Sequence, residues 1–405
     1  MSDTAAPSKP LVIFGDHDQK TVKQMETCMA DAPAARGVIC ADGHYGYAHP
    51  VGGVVAYHDH VSISGVGYDI ACGVKVVRTN LSWCQIERRS EQIANTLARH
   101  LSFGVGRNSS IKIDDPLFDD EAWKNIPILK SNKRLAEDQL SSIGSGNHWC
   151  DVFSDENDKV WIGCHFGSRG LGHRTASHFL QVAGGRDGMD VPPCVVGAKS
   201  ALGSEYLVAM ELCGRYAYAG RNIVCAQVAD ILEAEMLEEV HNHHNFCWKE
   251  VHDGEELYVV RKGATPAFPG QRGAVGASMG GVSAIVVGVD SEASRNALYS
   301  TVHGAGRVMS RTQAAGKSKW IKDEATGRKV KTRIAEGLIN EDSMRQRIKN
   351  QGIELRGGGA DEAPEVYRDL DRVLMSHAGT IEVQQRLTPR IVIMAGADIV
   401  DPYKD

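Results

Sequence analysis

Residues 160–182 read Val-Trp-Ile-Gly-Cys-His-Phe-Gly-Ser-Arg-Gly-Leu-Gly-His-Arg-Thr-Ala-Ser-His-Phe-Leu-Gln-Val. The opening run, 160–164, is short and apolar, which predicts a buried strand. Glycines then punctuate the chain at Gly167, Gly170 and Gly172, and residues 171–182 carry the wider apolar spacing of a helix. A strand, a glycine-rich connection holding His165 and Arg169, and a helix make one α/β unit.

The same grammar recurs on either side. Apolar runs at 10–14, 51–57, 257–260, 282–289 and 390–394 predict strands, and stretches at 85–101, 205–239 and 343–351 predict helices. Gly214 and Gly220 are expected to break or kink the long 205–239 stretch. No Pro/Ser linker and no internal repeat divides the chain. The expected architecture is one large mixed α/β domain over residues 1–405, whose long glycine-rich connections carry the chemistry.

Composition narrows the function classes. The chain has 405 residues, 42% hydrophobic and 24% charged, with 43 glycines and a net charge of −6. That apolar share fills a core and excludes a wholly disordered chain. The acidic balance excludes a protein that coats nucleic acid through bulk positive charge, though not one with a local basic groove. The first residues lack the basic and apolar regions of a signal peptide, and no apolar run is long enough to span a membrane. Ten cysteines are scattered without a C-x-x-C pair, which argues against a zinc ribbon and for reduced thiols in the cytoplasm.

Several histidines share one setting, at the end of an apolar run or beside a glycine turn. They are His148 after Asn147, His165, the cluster His241, His243 and His244, and His303 before Gly304-Ala305-Gly306-Arg307. A further segment, Gly65-Val-Gly67-Tyr-Asp69-Ile-Ala-Cys72-Gly73, places a carboxylate and a thiol three apart. Imidazole, thiolate and carboxylate together are ligands for zinc, manganese or cobalt. A buried histidine is commonly a hydrogen-bonded core residue, and a buried cysteine a small hydrophobe. Spacing alone leaves both readings open for Asp69, Cys72, His148, His165 and His244.

Two loops, 167–172 and 303–307, have the glycine content to present backbone N–H groups to phosphate, and each holds an arginine. Gly316-Lys317-Ser318 is not a Walker A loop, because the first required glycine falls on Arg311. Residues 307–333 carry nine Lys/Arg against two acids, a solvated face or a track for a nucleic-acid backbone.

In this order, the segments closely resemble the RtcB family of RNA-splicing ligases. The resemblance runs through Ala41-Asp42-Gly-His44-Tyr-Gly46, the Asp69–Cys72 segment, Gly-Ser-Gly-Asn147-His148 and His165-Phe-Gly-Ser-Arg-Gly. It continues through His243-His244-Asn245, Arg261-Lys262-Gly263, Gly276-Ala-Ser278-Met279-Gly280, the segment His303 to Arg311, and Asp361 to Asp369. It covers residues 41–396; residues 1–40 match less well, and 397–405 form a tail. The resemblance implies the family's mixed α/β fold, with sheets and helices around a central metal and nucleotide cleft.

It also implies a reaction: joining an RNA 3′-phosphate or 2′,3′-cyclic phosphate to a 5′-hydroxyl with GTP and two Mn²⁺ ions, in tRNA splicing or RNA repair. By resemblance, Cys72 bridges the two ions, Asp69 and His148 complete one set, and His165 and His244 the other. His303 is the nucleophile that takes GMP from GTP. Asn147 and Asn245 meet the GTP phosphates, with Trp149, Asp151, Ser278, Met279 and Tyr367 near the nucleotide, beside the loop Gly304, Ala305, Gly306 and Arg307. An archease-type activator is a further implied partner.

Three positions depart from the family pattern. Asp151 stands for the usual Glu, Trp149 for Phe, and Ala395-Gly396 for a C-terminal Lys-Gly whose lysine meets guanine; the nearest lysine is Lys404. Two alternatives to a ligase stand beside it. One is a metal-dependent phosphodiesterase that opens cyclic phosphates without joining ends, and the other is a catalytically lapsed RNA-binding paralogue.

Overall fold

The structure, a computed structural model, describes residues 9–322, 329–396 and 399. The strand Lys159–Phe166 is buried from its second residue onward. It runs between Gly73–Ser82 and Trp149–Ser154, antiparallel to both, and residues on both of its faces are buried. That position explains its unbroken apolar run.

Around it lies an eight-stranded sheet. Its order is Met236–His243, Gly73–Ser82, Lys159–Phe166, Trp149–Ser154, Ile381–Gly396, Ser283–Gly288 and Arg272–Val275, with Glu354–Gly358 paired parallel to Ile381–Gly396. A second sheet of five strands is ordered Leu11–Ile13, Ala34–His44, Val51–Tyr57, Glu255–Lys262 and Asn245–His252. The chain crosses from the first sheet to the second between His243 and Asn245, which leaves His244 at the junction. Helices Arg169–Val182 and Ala201–Leu232 pack together, and the longer one also lies on the strands Gly73–Ser82 and Lys159–Phe166. The mixed α/β class read from the sequence is the observed one.

Strand positions at 51–57, 160–164, 257–260 and 282–289 hold within a few residues, and 390–394 is part of the sixteen-residue strand Ile381–Gly396. The stretch 85–101 is not one helix; a short 3₁₀ turn, Glu87–Arg89, separates Trp83–Ile86 from Ser90–His100. The long helix also differs from expectation. It spans Ala201–Leu232, capped by Ser200, and ends at Glu233 in the left-handed conformation. Residues 236–239 are strand, because they pair with Gly73–Ser82.

Gly214 and Gly220 do not interrupt this helix. A Cβ at Gly220 would stand 2.5 Å from the Leu140 carbonyl oxygen, and one at Gly214 would stand 2.9 Å from the Phe246 ring. Both glycines are there for close approach, not for a bend. Helix propensity alone favours Ala over Gly by about 1 kcal/mol. Gly220→Ala is nevertheless expected to lower the thermal midpoint, by an overpacking cost of roughly 1–3 kcal/mol against a backbone carbonyl that cannot swing away. A raised midpoint would show that the helix has room to move off.

Candidate active site

Sheet register assembles the site. Gly73 pairs with Phe166 on one side and with His243 on the other. Both neighbours run antiparallel to Gly73–Ser82, so their C-terminal ends lie at its start. Cys72 therefore meets His165 and His244 at one sheet edge. Trp149 pairs with His165, which brings His148, one residue earlier, to the same edge. Gly73 must lack a side chain here, since a Cβ would fall 2.1 Å from the Asn242 oxygen.

The donor atoms form two groups that share Cys72. Cys72, His165 and His244 make one, and Asp69, Cys72 and His148 the other, with the ligand atoms of each within 4.8 Å of one another. Cys72 Sγ is 3.2 Å from His165 Nε2 and 3.7 Å from His148 Nε2. His165 Nε2 is 3.3 Å from His244 Nε2, and His148 Nε2 is 3.0 Å from Asp69 Oδ2. Behind the cluster, His148 Nδ1 donates to the Ile143 carbonyl and His165 Nδ1 to the Asn147 carbonyl, each at 2.9 Å. Those bonds assign the Nε2 lone pairs to the cluster, where they face a carboxylate, a thiol and another imidazole.

Burial pulls the His165 pKa down to about 3 and that of His244 well below the ordinary value, so both imidazoles are neutral donors. Burial and the neighbouring Asp69 push the Cys72 thiol up, so its thiolate forms against a bound cation. Converging lone pairs on sulfur, nitrogen and oxygen fit divalent transition ions.

His303 stands next to this cluster, its ring centroid 4.8 Å from that of His244. It follows the strand Ser300–Val302, which pairs with Ala264–Pro266, and the Ala264 N–H is bonded to the His244 carbonyl. Asp42, fully buried, lies behind it. Asp42 Oδ2 accepts from the backbone N–H groups of His303 at 3.0 Å and Gly304 at 3.3 Å, and stands 2.6 Å from His303 Nδ1. The approach to Nδ1 is close but off the line of a hydrogen bond. Burial would raise the Asp42 carboxyl, but His303 holds it below its usual range. Nothing in the sequence alone marks Asp42 for this role.

A cavity of about 800 Å³ opens over His303 and the donor cluster. The predicted nucleotide residues line it: Asn147, Trp149 and Asp151 on one strand end, Asn245, Ser278 and Met279 across from them. Gly304, Ala305, Gly306, Arg307 and Tyr367 complete that wall. Gly306 has φ +73°, and a Cβ there would strike the Asp42 backbone carbonyl oxygen at 2.3 Å. The other glycine loop, 167–172, does not line this cavity. Gly167 and Ser168 instead pack against the Asp69–Cys72 turn, with Ser168 Oγ donating to the Ile70 carbonyl.

Several wall residues are already engaged. Asn245 donates to the Asp69 carbonyl and accepts from the Gly263 N–H, which ties the Asp69–Cys72 turn to the second sheet. Arg307 donates to Glu362, to Tyr367 Oη and to the Asp361 carbonyl, and its guanidinium lies 5.2 Å from the Tyr367 ring centre. Asp151 is buried, accepts one bond from the Ile393 N–H, and has its carboxyl pushed well up by burial. Lys262 lines the cavity with its ammonium on the Tyr47 and His49 carbonyls; burial lowers its pKa to about 8. Lys404 lies outside the described residues, as does part of the basic run 307–333. Among the described residues, no helix is long and apolar enough to cross a membrane.

Comparison with known proteins gives one consistent result. A family model described as tRNA-splicing ligase RtcB matches residues 27–127 and 118–395. The tRNA-splicing ligase RtcB of Thermococcus kodakarensis is 29% identical over 438 residues, covering 87% of this chain and 86% of that protein. RNA-splicing ligase RtcB homolog 1 of Entamoeba dispar is 30% identical, covering 90% and 80%. RNA-splicing ligase RtcB of Escherichia coli K12 is 29% identical, covering 85% and 86%.

Proposed function

Because the chain belongs to the RtcB family, we propose that it is a GTP- and manganese-dependent RNA ligase that works through a histidine–GMP intermediate. The observation that carries this reading is a histidine backed by a buried carboxylate, beside two donor groups that share one thiol, in one cavity. Asp69, Cys72 and His148 would hold one ion, and Cys72, His165 and His244 the other. Two bound divalent ions supply positive charge to phosphate oxygens as negative charge develops there.

The chain's own residues do the rest. Asp42 faces Nδ1 of His303, which leaves Nε2 as the attacking atom and steadies the cationic ring once a bond to phosphorus has formed. Nε2 attacks the α-phosphorus of GTP, the bond to the bridging oxygen breaks, and pyrophosphate leaves. An RNA 3′-phosphate oxygen then takes the GMP, freeing His303. The 5′-hydroxyl oxygen attacks the activated 3′-phosphorus, and GMP departs as the joint closes. A 2′,3′-cyclic phosphate requires one water to open it first. In this scheme Trp149, Ser278, Met279 and Tyr367 bound the nucleoside. Asn147 and Asn245 serve the phosphates, beside the loop 304–306. Arg307 acts as the strut that fixes Tyr367.

Incubation with Mn²⁺ and α-labelled GTP tests the reading. An acid-labile label on the protein is expected; no label with continued opening of cyclic phosphates would make the protein a phosphodiesterase. End chemistry follows from where the nucleotide is loaded. RNA bearing a 3′-phosphate and a 5′-hydroxyl should be joined, whereas a 3′-hydroxyl and 5′-phosphate pair should not. Efficient joining of the second pair would sink the scheme.

Base choice rests on Asp151 and Ala395. A lysine in place of Ala395 would add a charged hydrogen bond to guanine, a contact of roughly 1.5–3 kcal/mol. Its absence should narrow GTP over ATP preference by about one to two decades relative to lysine-bearing relatives. Burial favours the protonated Asp151 carboxyl, which can donate and accept and so can pair with adenine as well as guanine. Ionised, it only accepts, which suits guanine N1–H and the exocyclic amine. Preference for GTP should therefore increase as pH rises. Competition between labelled GTP and ATP for adduct formation checks this; selectivity that is strict and flat with pH would remove Asp151 from the base contact.

A further inference from the structure

The long helix Ala201–Leu232 carries one residue that packing alone does not account for. Arg221 is 0% exposed. Among the described residues it forms no ion pair with a carboxylate, and a buried cation without one is expensive. The other fully buried arginine, Arg261, has the ordinary solution, a two-pronged pairing with Glu250.

Its fork is spent instead on the strand ends that bear the donor cluster. Nη1 donates to the Ala71 carbonyl at 3.0 Å and to the Phe166 carbonyl at 2.5 Å. Nη2 donates to His243 Nδ1 at 3.0 Å, and Nε to His241 Nε2 at 2.8 Å. Ala71, Phe166 and His243 are each one residue from Cys72, His165 and His244. A guanidinium can only donate, so His241 Nε2 accepts, while His243 Nδ1 lies between Arg221 Nη2 and the Ala71 carbonyl, 3.2 Å away. Three directions from one planar group cannot be copied by an ammonium on a flexible stem.

We propose that Arg221 is a positioning residue, holding the Cys72, His165 and His244 segments at one spacing and thereby setting divalent-metal affinity at that donor group. The inference rests on the metal reading above, and cobalt(II) separates the two. The full-length protein, stripped of metal, is titrated with Co²⁺ while the thiolate-to-cobalt charge-transfer band is followed. Arg221→Met, which removes fork and charge, should weaken Co²⁺ binding at the thiolate group by roughly 10–100-fold, the range for outer partners of metal ligands. Arg221→Lys keeps the charge and should lose less. Tyr216→Phe, which removes a hydrogen bond to the Ala136 carbonyl from the same helix, should leave the titration unchanged.

Should Arg221→Met fail to fold, Arg221→Lys decides, read against Tyr216→Phe. A wild-type band and dissociation constant in the folded Arg221 variant overturns the positioning role and leaves the metal reading standing. A wild-type protein that gives no charge-transfer band at any cobalt concentration overturns both.

Discussion

His303→Ala should form no covalent nucleotide adduct, and joining of RNA 3′-phosphate ends should fall on the order of 10⁴-fold or more, as when an enzyme loses its nucleophile. The same variant should still seal RNA supplied with its 3′-phosphate already capped by GMP. The reason lies in the order of bonds in the proposed scheme: Nε2 would load and hand over GMP, whereas the last step would displace GMP with the 5′-hydroxyl. His303 faces the donor cluster with 15% of its side chain exposed, and in the variant Asp42 keeps its bonds from the two backbone N–H groups. Adduct formation at the normal rate would place the nucleophile on another residue. Equal loss of both reactions would mean that His303 also serves the sealing step.

Cys72→Ala is expected to have a comparable effect for a different reason. Its sulfur belongs to both donor groups, so one substitution removes a ligand from each. Bound manganese should fall from two ions per chain toward none, and guanylylation should vanish. His148→Ala, which touches one group only, should retain one ion. Cys72 is a small buried side chain and alanine keeps most of its volume, so circular dichroism should report an intact fold. Metal analysis after equilibrium dialysis settles the matter. Unchanged stoichiometry in Cys72→Ala would leave two separate sites and no shared thiolate.

Much of the framework was legible residue by residue. The runs at 51–57 and 160–164 announced themselves because strands buried on both faces write an unbroken apolar sequence. Met236–His243 did not, because its glutamates and histidines read as the continuation of a helix. Only pairing with Gly73–Ser82, more than 150 residues earlier, makes it a strand. Gly214 and Gly220 misled for a related reason. Glycine signals a bend when considered alone, and its role as a packing gap appears only when Phe246 and Leu140 are beside it.

The site divides along the same line. The residue types, their order along the chain and the family they belong to were all present in the sequence, since a side chain's chemistry travels with its identity. Convergence was not. Cys72 begins one strand while His165 and His244 close its two antiparallel neighbours, and that meeting depends on register across the whole sheet. Asp42 acquired its role through backbone N–H groups 261 and 262 positions away, and Arg221 through carbonyls up to 150 positions away. Register and burial come from many weak contacts summed over the fold, and no local window of sequence contains that sum.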